Sequence, residues 1–127
     1  MKQSYRDLPV WQKAMDPTVR IYEVTRVFPK DELYRLTSQM RRAAVSVPSN
    51  IAEGQARPTR GEFRQSLGHA KGSLAELETQ LLIGSRLGHL NPSDPVFQQL
   101  SEVGRMLSGL VNSLTIDNQQ PTTDNHA

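Results

Sequence analysis

The chain has 127 residues, of which 36% are hydrophobic, 22% charged and 6% aromatic, with a formal net charge of +2; this suffices for one compact domain and is too apolar for wholesale disorder. With no cysteine in the sequence, disulfides, thiolate nucleophiles and thiolate-based zinc sites are excluded. The start, MKQSYRDLPVW, has no apolar h-region and no stretch approaches the roughly 18 continuous apolar residues of a membrane span, so a soluble, cytoplasmic protein is expected.

Apolar residues recur at helical spacing and no stretch alternates with period two. The expected fold is all-α: an antiparallel up-down four-helix bundle over residues 1–116, then a disordered tail at 117–127. The first helix is predicted from about Pro9 to Val27, capped by Asp7, with Trp11, Ala14, Thr18, Ile21, Tyr22 and Phe28 along one side. Pro17 removes a backbone donor inside it, so a kink is expected near Lys13 to Pro17. Phe28-Pro29 breaks the chain. The second helix is predicted from about Lys30 to Ala52, with a core stripe of Leu33, Leu36, Met40, Ala43, Ala44, Val47 and Ile51, and with Gly54 as its stop. Pro48 frees the carbonyl of Ala44 within that stripe; a bent but continuous helix is expected, with Asn50 or Ser46 satisfying the freed backbone.

Thr59-Arg60-Gly61-Glu62 has the form of a capping box and opens the third helix. From there Phe63, Leu67, Ala70, Leu74, Leu77, Leu81, Gly84 and Gly88 step by fours and threes, the spacing of a coiled-coil-like seam. The turn Asn91-Pro92-Ser93-Asp94-Pro95 offers Ser93 or Asp94 as cap for a fourth helix that carries Val96, Leu100, Val103, Leu107, Leu110, Val111 and Leu114.

Two polar stripes accompany this core. On the third helix Glu62, Ser66, His69, Ser73, Glu76, Gln80, Ile83 and Leu87 repeat the core spacing to one side. A solvated face accounts for the polar half; Ile83 and Leu87 favour a subunit interface. On the second helix Arg35, Arg42, Ser46, Ser49 and Glu53, with Asn50 at the edge, share a face suited either to solvent or to close hydrogen-bonded contact with another helix, so Ser46, Asn50 and Glu53 join the candidate interface. Charge is uneven as well. Between residues 35 and 71 the basic Arg35, Arg41, Arg42, Arg57, Arg60, Arg64 and Lys71 outnumber the acidic Glu53 and Glu62, making these seven candidates for contact with RNA or DNA phosphates, unless they are solubilising charge alone. Few aromatics lie in that stretch, which favours phosphate contact over base readout.

No catalytic constellation is present. None of His69, His89 and His126 has a glutamate three residues before it, as a ferritin-like dimetal site requires, and no serine sits in a Gly-x-Ser-x-Gly elbow. The glycines Gly68, Gly72, Gly84 and Gly88 fall within a helical pattern and form no phosphate loop. The expectation is a protein that is not an enzyme and takes no metal or cofactor.

The runs RRAAVSVPSNIAEG (residues 41–54) and AKGSLAELETQL (residues 70–81), with Val10-Trp11 and Phe28-Pro29, resemble the small four-helix-bundle proteins encoded in intervening sequences of 23S ribosomal RNA genes, over about Tyr5 to Leu114. The resemblance implies an antiparallel bundle assembled as a homopentameric ring, and no enzymatic activity is established for that family. It also implies distant kinship to the accessory proteins of diversity-generating retroelements, basic pentamers that bind nucleic acid and a reverse transcriptase. The expected function is a non-enzymatic homo-oligomer that binds RNA or DNA phosphates, the alternative being a structural scaffold for a protein partner such as a reverse transcriptase.

Overall fold

The computed structural model describes residues 4–125, with side chains to Thr115; the stretch expected as a tail at 117–127 is described as helical backbone to Asn125, and its side chains and the last two residues lie outside the described residues. All described structure is helical. A 3-10 turn at Tyr5–Asp7 leads into α1 (Pro9–Thr25); a 3-10 turn at Lys30–Glu32 and a π-helical turn at Leu33–Thr37 lead into α2 (Ser38–Gln55); α3 (Arg60–Arg86) and α4 (Pro95–Asn125) complete four long helices. Contacts between neighbours run in opposite directions: Thr25 with Arg41 and Thr18 with Ala44 between α1 and α2, Gly54 with Ser66 and Ser46 with Ser73 between α2 and α3, Arg20 with Asp94 and Lys13 with Glu102 between α1 and α4. This is the antiparallel pattern that short connections impose on amphipathic helices.

The core is largely the one the periodicity predicts. Ala14 and Ile21 of α1, Met40, Ala43, Ala44, Val47 and Ile51 of α2, Leu67, Ala70, Leu74, Leu77 and Leu81 of α3, and Val96, Leu100, Val103 and Leu107 of α4 are buried together. Each fully buried leucine or isoleucine stabilises such a bundle by about 1.5 to 3 kcal/mol against the entropy of ordering the chain. Leu33 and Tyr22, both expected inside, are instead 44% and 41% exposed. Leu33 leaves the stripe because the helix is interrupted at Arg35, whose φ −124° and ψ −107° are not helical; this kink breaks the helical register between Leu33 and the α-helix that follows. The α-helix therefore begins at Ser38 and not at Lys30.

Both internal prolines are accommodated without a break. α1 continues through Pro17 and α2 through Pro48. The carbonyl that Pro48 deprives of a partner, Ala44 O, is met by neither Asn50 nor Ser46. Thr18 Oγ1 of α1 stands 3.1 Å from it and 2.8 Å from Ala14 O, so one hydroxyl proton is shared between its own helix and the next. Asn50 Nδ2 donates instead to Ser46 O at 2.8 Å and Ser46 Oγ at 2.9 Å.

The helix ends follow the expected chemistry with three corrections. Asp7 does not cap α1: Leu8 occupies the cap position without a side-chain bond, and Pro9 opens the helix. Gly54 does not end α2; it lies inside the helix, where a Cβ would come within 2.7 Å of Ser66 Cβ and 2.9 Å of the Phe63 ring, so its role is close packing against α3. Gly88 is not part of the α3 seam. At φ +81° it follows the last turn, where His89 N–H donates to Gly84 O and Gly88 N–H to Ser85 O, a Schellman stop. Thr59 caps α3 as predicted, accepting from Glu62 N–H at 3.1 Å, though the Glu62 carboxylate accepts from the Thr59 hydroxyl, where the capping box had placed the Thr59 amide. Asp94 caps α4 through Val96 N–H at 3.0 Å, with Pro95 in first position.

Candidate functional site

The side stripe predicted on α3 divides in two. Ser66 and Gln80 are buried and Ser73 is half-buried; their surroundings belong to α2 and α3 of the same chain. Ser46 and Ser73 hydroxyls stand 2.8 Å apart, and Asn50 completes a short polar ladder across the α2–α3 contact. Such pairing removes the desolvation cost that lone hydroxyls would carry there. Gln80 Nε2 donates to Glu76 at 3.2 Å, while its buried Oε1 has no partner among the described residues. His69, Glu76, Glu53, Ile83 and Leu87 remain exposed. The last two adjoin Leu82, giving three large apolar side chains between 46% and 57% exposed at the end of α3.

The predicted basic residues fall into separate groups because α2 holds them apart. Arg41 and Arg42 stand near its start and Arg57 and Arg60 just beyond its end, with roughly 20 Å of helix between. Arg57 and Arg60 line a shallow groove with Phe63 and Leu114, and Arg57 comes within 3.9 Å of Glu53. Arg64 is half-buried and Lys71 exposed on α3.

At the other end, Arg41, Arg42, Tyr22, Leu33, Tyr34, Ser38 and Val45 line an open groove of about 480 Å³ between α1 and α2, with no carboxylate in its lining. Arg41 is held in place: Nε donates to Thr25 Oγ1 at 2.9 Å and the guanidinium lies 4.9 Å from the Tyr22 ring centroid. Arg42 and Arg35 are exposed. Sequence reasoning missed Tyr22, which fitted the core stripe, and Tyr34, which lies outside that stripe.

Among the described residues no group of His, Asp and Glu has the arrangement to hold a metal ion. His89 Nε2 lies 3.1 Å from Glu32 and its ring packs on Phe28, tying the α3–α4 turn to the start of the second helical segment. Arg20 holds Asp94 with two bonds, at 2.7 and 3.2 Å; these hydrogen bonds, outweighing partial burial, keep the Asp94 carboxyl below its ordinary value of 3.8, and Arg20 is correspondingly raised. Both contacts fix the bundle.

No curated protein matches this chain. Residues 6–109 match the sequence profile described as 23S rRNA-intervening sequence protein. That match covers most of an all-helical, four-helix chain, and the protein belongs to the family of 23S rRNA-intervening sequence proteins.

Proposed function

We propose that this chain is a non-enzymatic building block that assembles with copies of itself and offers basic residues to RNA or DNA phosphates. The observation that carries the nucleic-acid part is the α1–α2 groove: two arginines line it, no carboxylate does, and Arg35 stands close by in sequence. Guanidinium groups suit phosphate because they present several donors in a fixed plane and stay charged. Assembly is supported by Leu82, Ile83 and Leu87, an apolar end of α3 that the chain's own core leaves uncovered. Repetition around a ring would multiply the basic field; the number five, like a reverse transcriptase as partner, comes from the family resemblance alone.

Light scattering and a salt titration of RNA and duplex DNA binding test the two halves. The expected results are a mass several times 14.2 kDa and an affinity that falls steeply with salt. Replacing Arg35 and Arg42 with alanine should flatten that dependence, as should Arg57→Ala with Arg60→Ala if those also meet phosphate. A stable monomer removes the assembly. Absence of affinity at low salt removes nucleic-acid binding and favours the scaffold, a reading that the second, largely apolar groove lined by Tyr5, Trp11, Met15, Val45 and Pro48 supports.

A further inference from the structure

We propose that the arginine-lined end of the α1–α2 groove takes single-stranded nucleic acid, with a base stacked on Tyr34 and the adjoining phosphates met by Arg42 and Arg35. This names the ligand class and the site of the phosphate-binding reading, on which it rests. Tyr34 is 88% exposed on the π turn, between Leu33, also exposed, and the half-buried Leu36 and buried Thr37 that anchor the turn. The core does not explain its position. Beside it the Tyr22 ring is already covered on one side by the Arg41 guanidinium, which Thr25 holds from behind. The groove thus presents aromatic rings next to positive charge, and a nucleotide combines a flat π face with a phosphate.

Charge selects a polyanion for this groove: two arginines line it and no carboxylate does. A duplex keeps its base faces stacked inside, out of reach of a ring at the edge of a shallow groove, so the strand must be single. Phosphate contact through Arg57 and Arg60 at the far end would follow no such preference.

The test compares a fluorescent oligouridylate, an abasic strand of equal length and an RNA duplex by anisotropy at low salt. Wild type should bind the oligouridylate roughly tenfold more tightly than the abasic strand. Tyr34→Ala should erase that difference and leave abasic affinity unchanged; Tyr34→Phe should preserve it. Arg42→Ala should weaken both strands and lower the salt slope by about one. Equal affinity for the two strands, untouched by Tyr34→Ala, would overturn stacking while leaving phosphate binding intact. No binding to any of the three would remove the underlying reading with it. A Tyr34→Ala protein of reduced mass in light scattering would assign the groove to a second copy and overturn the proposal.

Discussion

The α2–α3 contact and the α1–α2 groove share α2 but are built by opposite rules. Toward α3, α2 brings Gly54 close against Ser66 and Phe63, and Ala43, Val47 and Ile51 join Leu67, Ala70 and Leu74 in the core, with polar atoms paired across the Ser46–Ser73 bridge. Toward α1 it presents Arg41, Arg42 and Val45, and with Tyr22, Leu33 and Tyr34 these leave an open trough. Close packing spends a residue's chemistry on the fold, whereas the trough keeps aromatic and charged groups available. Stability and binding should therefore be separable by mutation.

The largest expected effect tests that separation directly. Leu67, wholly buried, should cost about 2 to 5 kcal/mol on truncation to alanine, from lost transfer energy plus the cavity left. Tyr34→Ala should change stability by less than about 0.5 kcal/mol, as exposed substitutions do. Thermal or urea unfolding of both proteins decides it; comparable losses would mean that the groove belongs to the folding core.

Two glycines of the same kind of helix sharpen the contrast. Gly54→Ala gains about 1 kcal/mol of helix propensity but must fit a methyl group 2.7 Å from Ser66 Cβ, and overpacking of this kind costs about 1 to 3 kcal/mol. A net loss is expected. Gly68→Ala meets nothing within 4 Å, so the propensity gain of up to about 1 kcal/mol should appear undiminished. If both substitutions stabilise, α2 and α3 are not as tightly apposed as their contacts indicate.

These glycines also show what was legible beforehand. Gly54 and Gly88 read as a stop and a seam residue because spacing alone cannot tell a close approach from a left-handed turn; the distinction lies in whether Ser66 or a Schellman pair faces the residue. The helical count and nearly all of the core followed from period, since Met40, Val47, Ile51 and the leucines of α3 repeat without interruption. The groove did not follow. It is lined by residues on both sides of the kink at Arg35, which no local propensity marks, and by Tyr22, which turned out of a stripe that it matched. Ser66 and Ser73, small polar residues at heptad spacing, read as a solvated face or a subunit interface, whereas Gly54 and Ser46 of α2 face them.

A smaller effect is expected at Asp94, which ties α1 to α4. Its carboxylate caps α4 and accepts two bonds from Arg20, with its acidity raised accordingly. A depressed folded-state pKa stabilises the protein above the unfolded-state value, and this contribution disappears as pH falls from about 4 through the folded value. Asp94→Ala should cost about 1 kcal/mol near neutral pH, chiefly the lost cap, with the partly exposed ion pair adding little. Unfolding measured against pH should show the wild-type advantage shrinking in acid; an advantage that never shrinks as the solution is acidified would contradict the assigned ionisation.

The most local effect is expected at Thr18. Its hydroxyl is the group that reaches Ala44 O, the carbonyl orphaned by Pro48, while also meeting Ala14 O. Thr18→Val keeps the shape and β-branching but removes the proton, leaving Ala44 O without its donor in a half-buried position. The expected loss is about 1 kcal/mol, the range for a hydrogen bond whose partner stays behind. Replacing Pro48 with alanine restores an amide that can meet the same carbonyl within α2, so Thr18→Val in that background should cost less. A double-mutant cycle of unfolding free energies measures the coupling. Additive losses would show that Thr18 serves only its own helix and that the proline in α2 is tolerated by some other means.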